Sequence, residues 1–341
     1  MKDEMPKMLD SVDDLMEVMT RPDEAVIRAV DDLGGRFLVL GAGGKMGPTL
    51  CGMLRRTGAE EVVAVDLFPD RSVKDALDSQ GCRTITCDLL DPGALADLPD
   101  RPNVFIMTGF KFGASGNTTA LWAMNALLPA RIVERYPDSR HLLMSSGNVY
   151  EFVPVGSGGA AETDPVVPVG EYAQSRLGGE RIAQYVAERV GARLVIVRLF
   201  YAVEMRYGIL HDLAAAVRDG KPIDLSMGYV NQIWQGDAVA YLVKFLTVAE
   251  SPARVLNITG AETLAVRDLA ERIGDRMGRE PVFENSPAAT ALLGNSEQAF
   301  GLFGRPAVPP DRIIDWIVPW VQAGRESLGK PTKYERRDGK F

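Results

Sequence analysis

Residues 37–50 read FLVLGAGGKMGPTL, an apolar run that passes through a glycine-rich turn into a stretch of helical character. Gly41, Gly44 and Gly47 have the spacing G-x-x-G-x-x-G. Glycine permits a tight turn and lets the backbone approach a phosphate, and the amides and dipole at a helix start favour anions. The stretch therefore predicts a strand, turn and helix that grip the pyrophosphate of a dinucleotide.

The next apolar run supplies an acid at the expected distance from this turn. The run is EVVAVD at residues 61–66, and its last residue, Asp66, follows Gly47 by 19 positions. A carboxylate there accepts hydrogen bonds from the adenosine ribose hydroxyls of NAD and repels the 2′-phosphate of NADP. We expect NAD to be preferred, although Arg71 lies close enough in sequence to complicate the choice.

Short apolar runs alternate with helical stretches from residue 37 to residue 200. Near-continuous apolar strands separated by helices indicate a parallel sheet that is buried on both faces. The pattern predicts an α/β fold, a doubly wound parallel sheet of the Rossmann type. The runs are residues 37–41, 61–66, 83–87, 103–108, 141–145 and 194–199.

The pattern divides the chain into three parts. Residues 1–35 predict an N-terminal helical extension, which is either a surface appendage or an oligomer contact. Residues 36–200 predict the dinucleotide-binding domain, with its sheet completed by parts of 235–260. Residues 201–341 predict mainly a smaller α+β substrate lobe and a C-terminal helix, and such a lobe lies over the carboxyl ends of the strands, where substrates bind.

Composition excludes several classes of protein. The 341 residues are 46% hydrophobic and 25% charged, as in an ordinary globular enzyme, and the net charge of −8 disfavours nucleic acid or an anionic membrane as partner. No apolar run reaches the roughly 18 residues of a membrane span, and the start MKDEMPKMLD is too acidic for a signal peptide. Three cysteines without paired or metal-ligand spacing, and only two histidines, predict a cytoplasmic protein without a metal site.

With SSGNVY at 145–150 and YAQSR at 172–176, the chain resembles the extended short-chain dehydrogenases, specifically the NAD-dependent epimerase/dehydratase family. The resemblance covers roughly residues 36–325. Further landmarks that it rests on are RLFYAV at 198–203, GDAVA at 236–240 and NITGAETLAVRDLA at 257–270.

The resemblance implies the catalytic residues. Tyr172 is then the general acid/base at the substrate carbinol, Ser146 hydrogen-bonds the same oxygen, and NAD takes or gives the hydride. The family's Y-x-x-x-K lysine is replaced by Arg176, which keeps the positive charge and the grip on ribose hydroxyls but cannot readily relay a proton. Glu180 matches the family's later glutamate, and Tyr150 closes the serine motif.

The resemblance and the turn together give a set of cofactor-binding residues. Asp88, in CDLLD, matches the family's acid that meets adenine. The full set is Gly41, Gly44, Lys45, Met46, Gly47, Asp66, Asp88, Leu89, Thr108, Tyr172, Arg176 and Leu199.

Two absences narrow the reaction. Family dehydratases carry an Asp-Glu pair after the serine, whereas this chain has Gly147 and Asn148, which cannot eliminate water. Sugar-nucleotide enzymes of the family hold the diphosphate with an arginine before the GD landmark, and the segment 228–237, GYVNQIWQGD, contains no cation.

Lys111 or Arg206 could bind a carboxylate or phosphate, although each also reads as a solvated surface charge. The candidate substrate residues are Lys111, Ser146, Asn148, Tyr201, Arg206, Asn231 and Gln235.

Three functions remain open from the sequence. The first is an NAD-dependent oxidoreductase that interconverts a secondary alcohol and a ketone on a small carbohydrate, polyol or sugar acid. The second is an NAD-dependent sugar epimerase with a tightly bound cofactor, in which the hydride returns to the opposite face. The third is a non-catalytic NAD-binding sensor, which Arg176 would explain. A homodimer that pairs through the helices beside residues 172–176 is expected from the resemblance.

Overall fold

Parallel strands form the centre of the molecule, for which a computed structural model describes residues 5–110 and 117–340. In chain order the strands are β1 (Arg36–Leu40), β2 (Glu61–Asp66), β3 (Arg83–Thr86), β4 (Asn103–Ile106), β5 (Arg140–Ser146), β6 (Val153–Pro154), β7 (Arg193–Leu199), β8 (Tyr201–Val203), β9 (Pro222–Asp224), β10 (Tyr229–Val230), β11 (Gln232–Trp234), β12 (Arg254–Ile258), β13 (Leu264–Ala265), β14 (Val282–Glu284) and β15 (Thr290–Ala291).

Helices connect these strands and cover both faces of the central sheet. They are α1 (Val12–Met19), α2 (Glu24–Asp32), α3 (Gly47–Arg56), α4 (Arg71–Ser79), α5 (Pro92–Ala96), α6 (Thr118–Trp122), α7 (Leu128–Arg135), α8 (Gly170–Val190), α9 (Ile209–Asp219), α10 (Gln235–Leu246), α11 (Val266–Met277), α12 (Glu297–Phe303) and α13 (Pro310–Gln322). A π-helical turn, Ala123–Leu127, joins α6 to α7.

Among the described residues the central sheet has seven parallel strands in the order β12-β7-β5-β4-β1-β2-β3. Alternate side chains of each strand enter different cores. From β1, Phe37 and Val39 pack with α2, α3 and α10, whereas Leu38 and Leu40 pack on the opposite face with α7 and α8. This burial on both faces explains the apolar strands and confirms the predicted doubly wound α/β fold.

The N-terminal helices are built into the interior of the protein. Leu15 and Met19 of α1 are fully buried in the same core as the lobe helices α9, α11 and α13, while Val26 of α2 joins the core beside α3. Arg56 of α3 forms two hydrogen bonds of 2.6 and 2.7 Å with the Glu17 carboxylate of α1. The extension therefore ties the lobe to α3 and is more than a surface appendage.

We propose to divide the chain as the sequence pattern suggests. Residues 1–35 form the N-terminal extension, residues 36–200 form the Rossmann domain with β12 as its last strand, and residues 201–341 form mainly the substrate lobe. The lobe has its own apolar core, in which Trp234 and Trp316 lie with ring centroids 5.3 Å apart. No helix within residues 5–110 and 117–340 is long and apolar enough to cross a membrane.

One strand residue makes the stability of this fold sensitive to acid. His141 of β5 is fully buried, and burial lowers its pKa from 6.5 to about 4. Because the folded pKa lies below the unfolded value, stability is lost as the pH falls from about 6.5 towards 4. His141→Leu is expected to reduce the loss of unfolding free energy between pH 7.5 and pH 5 by about 2 kcal/mol. Urea titrations at both pH values measure this loss, and equal losses in the two proteins would contradict the prediction.

Candidate functional site

The glycine turn after β1 has no room for side chains at two of its positions. Gly41 has φ +89°, and a Cβ there would lie 2.7 Å from the Thr108 amide nitrogen. A Cβ on Gly47, at the start of α3, would overlap the Ala42 carbonyl oxygen. Gly44 donates its amide to Gly41 O at 3.2 Å and accepts from Gly47 N at 3.2 Å. The backbone is therefore bare and close at the start of α3, which is the cradle that a pyrophosphate requires.

Asp66, at the end of β2, lies against this turn. Its carboxylate accepts hydrogen bonds from Gly43 N at 3.0 Å and Phe68 N at 3.3 Å, and a Cβ on Gly43 would lie 2.9 Å from Asp66 Cγ. The side chain is half-buried, so part of the carboxylate is accessible beside the cradle. This position suits the adenosine ribose hydroxyls of NAD.

Of the other residues predicted to bind the cofactor, Asp88 is exposed, whereas Leu89, Met46 and Leu199 are buried or half-buried. Asp88 is exposed and accepts a hydrogen bond from Leu90 N at 2.9 Å, so it closes its own turn. Leu89 is buried in the core next to α7. Met46 and Leu199 are half-buried against the core beside α3.

Lys45 connects the glycine turn to the lobe. Its Nζ donates a hydrogen bond to Ala202 O of β8 at 2.9 Å and lies 3.8 Å from the centroid of the Tyr207 ring. Burial raises the pKa of Tyr207, and the neighbouring Asp212 and Tyr172 raise it further. A cation from the glycine turn therefore lies over the Tyr207 ring and against β8.

Ser146 ends β5, at the carboxyl edge of the sheet. Its Oγ accepts a hydrogen bond from Asn148 N at 3.2 Å, which starts a short 3-10 turn. Gly147 is required because a Cβ there would lie 2.5 Å from the Phe200 ring. The serine therefore lies at the base of the site, and Asn148 is half-buried beside it.

Tyr172 and Arg176 lie one turn apart on α8, as the spacing predicts. The Arg176 Nη1 atom donates to Thr108 O at 3.1 Å and to Met144 O at 3.3 Å. Its Cζ atom is 5.5 Å from the Tyr172 ring centroid. Arg176 therefore fastens α8 to the ends of β4 and β5 and places a buried cation beside the tyrosine.

Gly109 leaves the space that the Arg176 side chain occupies. A Cβ at position 109 would overlap Arg176 Nη2. A guanidinium needs more space than the ammonium of the lysine found in the family, and the absent side chain at 109 provides it. No periodicity in the sequence marks this glycine.

Two buried polar atoms at this site have no partner in the described part of the chain. They are Thr108 Oγ1 and Arg176 Nε, on residues that are 5% and 8% exposed. Buried polar groups are nearly always hydrogen-bonded, so unpartnered ones in a cleft point to a polar ligand. Together with the bare glycine cradle, they fit a dinucleotide whose nicotinamide ribose would be held by Thr108 and Arg176.

Asn125 is a residue that the sequence reasoning missed. It lies in the π-helical turn, is 1% exposed, and exchanges two hydrogen bonds with the backbone of Phe110 at 2.9 and 3.1 Å. It also donates to Ser175 Oγ of α8 at 3.0 Å. It thus holds the segment after β4 against α8. A polar residue on the buried side of an apolar helical stretch was the available signal, and π-helical turns are frequent at functional sites.

Glu180 and Tyr150 belong to a buried network rather than to the open site. Glu180 accepts from Ser145 Oγ at 2.5 Å and from Arg198 Nη2 at 2.7 Å. Arg198 Nη1 donates to the Tyr150 hydroxyl at 2.7 Å, which in turn donates to Asn257 Oδ1 at 3.0 Å. The network ties α8 to three strand regions, so the family glutamate here has a structural task.

The structure buries two of the predicted substrate residues, Asn231 and Gln235. Asn231 is 3% exposed and is fully engaged with the Gly294 backbone, donating at 2.6 Å and accepting at 3.2 Å. Gln235 has no exposed surface, and its Nε2 donates to Thr49 Oγ1 of α3 at 2.9 Å. Gln235 is buried because the start of α10 packs against α1 and α3, whereas Asn231 is buried against the segment around Gly294.

The other predicted substrate residues differ in accessibility. Tyr201 begins β8, and its pKa is raised by burial and by the neighbouring Tyr207 and Glu335. Arg206 is paired with the buried Glu204 at 3.2 Å and with Glu326 at 3.4 Å, so its charge is neutralised. Lys111 lies outside the described residues. Within residues 5–110 and 117–340 there is no group of three His, Cys, Asp or Glu residues that could hold a metal ion.

Comparisons with known proteins identify the fold and the family. The chain is similar to a Bacillus cereus UDP-glucuronic acid 4-epimerase in complex with NAD (TM-score 0.73, 19% identity), which it matches over 85% of its own length and 99% of the other chain. A UDP-galactose 4-epimerase gives 0.68 and 19%, and MoeE5 in complex with UDP-glucose and NAD gives 0.68 and 21%, each over 84% of this chain and 99% of the other.

At these identities the solved structures show the fold alone. No curated protein matches the chain. The sequence profile of the NAD dependent epimerase/dehydratase family matches residues 37–225, more than half of the chain. The protein is therefore an NAD-dependent enzyme that belongs to the NAD dependent epimerase/dehydratase family.

Proposed function

We propose that this enzyme interconverts a secondary alcohol and a ketone on a small carbohydrate, polyol or sugar acid. The observation that carries the proposal is the attachment of Arg176 to Thr108 O and Met144 O. This attachment brings the Tyr172 face of α8 to the strand ends where Ser146 lies. An acid/base, a hydroxyl donor and a cation then converge beside the cofactor cradle.

Each residue has a defined task in the proposed reaction. Tyr172 takes the proton of the carbinol hydroxyl during oxidation and returns it during reduction. Ser146 donates a hydrogen bond to the same oxygen and holds it in place, and the nearby Arg176 cation favours the phenolate form of the tyrosine. NAD, when bound, supplies the hydride acceptor or donor. Since Gly147 and Asn148 stand where an acid–base pair would be needed, we do not propose elimination of water.

The main alternative is a sugar epimerase, and the structural neighbours favour it. They include UDP-sugar 4-epimerases and MoeE5 in complex with UDP-glucose or UDP-glucuronic acid. Against a nucleotide-linked substrate here, residues 228–237 contain no cation and Arg206 is neutralised by two glutamates. A ketone that rotates before the hydride returns needs a tether, and residues 228–237 offer no cation that could hold a diphosphate. The sensor alternative has no support in an enzyme family.

A substrate panel separates the two reactions. The purified protein is incubated with NAD and free sugars, polyols and sugar acids while the absorbance of reduced nicotinamide is followed. In parallel it is incubated with UDP-glucuronic acid and UDP-glucose, and epimers are sought by chromatography. We expect NAD reduction with a free carbohydrate. Epimerisation of a UDP-sugar without net NAD reduction would replace the proposal by its alternative.

Asp66 is expected to set the choice between NAD and NADP. Its carboxylate lies beside the cradle and would accept the ribose hydroxyls of NAD, whereas it would repel an added phosphate. Wild type should bind NAD more tightly than NADP, and Asp66→Ala should reduce the difference between the two binding free energies by roughly 1–3 kcal/mol. Calorimetric titration with both dinucleotides measures the two affinities. Equal affinities in the unmodified protein would exclude this role.

We also propose a homodimer that forms through α8 and the α6–α7 helices. These helices carry four exposed apolar side chains: Trp122, Leu127, Ile182 and Tyr185. An exposed apolar face of this kind marks an association surface, and a second copy of the chain is the occupant that self-complementary pairing favours.

If the homodimer forms through this face, charged side chains placed there should prevent it from forming. The double variant Ile182→Glu/Tyr185→Glu should sediment as a monomer, because two carboxylates would be buried in each copy's interface. Val282→Glu, at an exposed apolar residue of β14, is the matched control and should leave the dimer intact. A double variant that sediments as wild type would place the interface elsewhere.

Finally, we propose a reducing, cytoplasmic location. Cys51, Cys82 and Cys87 are buried and free rather than paired in disulfides. The partner on this proposal is a small carbohydrate-like molecule, and we propose neither nucleic acid nor a membrane as partner because the net charge is −8.

A further inference from the structure

The last segment of the chain, residues 326–340, crosses the substrate lobe, and we name it the C-terminal strap. It leaves α13 at a hydrogen bond of 2.9 Å from Trp320 Nε1 to Glu326 O. Leu328 N then donates to Arg206 O at 3.0 Å. The first part of the strap is therefore attached to the loop that precedes α9.

The middle of the strap is buried in the lobe. The backbone amide and the hydroxyl of Thr332 both donate to Asp212 Oδ2 of α9, at 2.8 and 2.6 Å. Tyr334 is 7% exposed and joins the lobe core. Glu335 follows, close enough to Tyr201 to raise the pKa of that hydroxyl. The strap thus passes beside a tyrosine on the substrate side of the lobe.

The far end of the strap reaches the catalytic helix. Arg337 donates to Thr290 O at 2.8 Å and to Thr290 Oγ1 at 2.6 Å, and its guanidinium carbon lies 4.1 Å from the Phe152 ring centroid. Gly339 packs backbone to backbone on Gly170, the first residue of α8, because a Cβ at either position would come too close to the other segment. Gly170 precedes Tyr172 by two residues.

We propose that the C-terminal strap is the outer wall of the substrate pocket and limits the substrate to a compact carbohydrate without a nucleotide. The strap is fixed to the lobe at Asp212 and to the start of α8 at Gly170, so it runs from the lobe to a point two residues before Tyr172. A nucleotide diphosphate attached to the sugar would extend outward from the reacting carbon into this wall.

This inference rests on the proposed function, because the pocket that the strap closes is that of the alcohol or ketone. Several bonds would break if the strap left its place, among them the two to Asp212 and the two to Thr290. A transient opening that admits a large ligand would therefore be costly.

Two glycines of the strap provide a matched pair of variants. Gly339 and Gly329 have φ of +70° and +62°, so alanine strains the backbone similarly at both. A Cβ on Gly339 would overlap the Val169 carbonyl oxygen, whereas a Cβ on Gly329 has nothing within 4 Å. Gly339→Ala should therefore release the end of the strap, and Gly329→Ala should not.

The experiment uses the full-length protein with bound NADH. Acrylamide quenching of the NADH fluorescence reports access to the nicotinamide, and trypsin cleavage after Lys333, Arg336 and Arg337 reports release of the strap. We expect Gly339→Ala to be cleaved faster and quenched several-fold more strongly, with NADH affinity unchanged and Gly329→Ala like wild type. Thr332→Val/Gly339→Ala loosens a second attachment point and should strengthen both effects.

Three results would overturn the proposal. One is a released strap without any change in quenching, and another is a strap that stays resistant to trypsin in the double variant. The third is calorimetric binding of UDP-glucuronic acid to the NAD-loaded wild type. Failure of every free carbohydrate to reduce NAD, with quenching as expected, would instead refute the proposed function and leave the strap in its role as a wall.

Discussion

Replacing Tyr172 with phenylalanine is expected to lower kcat by roughly 10²- to 10⁴-fold, the range for loss of a general acid/base. The substitution removes only the hydroxyl that exchanges the proton with the substrate oxygen. The ring and its contact with Arg176, 5.5 Å from the centroid, remain. NAD affinity should therefore stay within a few-fold of wild type. Steady-state kinetics on the substrate found in the panel, together with NAD titration, measures both quantities.

Two other tyrosines make this test discriminating. Tyr207 lies close to Tyr172, under the Lys45 ammonium, and is the rival donor on the same wall. Tyr185 is on the same helix but 64% exposed, so Tyr185→Phe controls for the helix itself. We expect Tyr207→Phe to change kcat by less than ten-fold and Tyr185→Phe not at all. A larger loss in Tyr207→Phe than in Tyr172→Phe would transfer the acid/base role to Tyr207.

The strands and helices could be predicted from the sequence because each leaves a periodic signal. The run from Phe37 to Leu40 is apolar at every position, since both faces of its strand are buried. The glycine turn is marked by the G-x-x-G-x-x-G spacing, and Asp66 by its distance of 19 positions from Gly47. The seventh strand, residues 254–258, falls within residues 235–260, parts of which the sequence pattern assigns to the sheet.

Contacts between distant segments left no such signal. Asn231 and Gln235 read as pocket residues because they are polar and close to a family landmark, yet Asn231 is bonded to the Gly294 backbone and Gln235 Nε2 to Thr49 of α3. Gly109 matters only because Arg176, 67 residues later, needs its space. The C-terminal strap follows the last predicted helix as an irregular polar segment, and its place against Gly170 depends on the whole lobe being folded.

Arg176, where this chain departs from its family, carries the second large effect. Its cation lies 5.5 Å from the Tyr172 ring, in a site from which water is largely excluded. At an effective dielectric of about 20, a unit charge at that distance is worth about 3 kcal/mol, or about 2 pH units in the titration of a phenol. Arg176→Met should therefore move the ascending limb of kcat/KM, in the oxidation direction, up by one to two pH units.

The same variant should lower activity near neutral pH by roughly 10- to 100-fold, because that is the loss of phenolate that such a shift produces. It should also weaken NAD binding, since Thr108 and Met144 lose their donor. Arg176→Lys should retain most activity because it keeps the cation and restores a group able to relay a proton. The pH dependence of kcat/KM for the three proteins decides the matter, and a wild-type profile in Arg176→Met would show that the residue does not tune the tyrosine.

Gly109 turns this prediction into a double-mutant cycle that a merely structural role would not satisfy. Gly109→Ala places a Cβ on Arg176 Nη2 and should displace the guanidinium, with a loss of activity and an upward shift of the profile close to those of Arg176→Met. The lysine side chain ends earlier, so Gly109→Ala/Arg176→Lys should recover both activity and profile. If Gly109→Ala lowers activity as much in the Arg176→Lys background as in wild type, Gly109 is needed for the local backbone conformation. The position of the Arg176 side chain then does not depend on it.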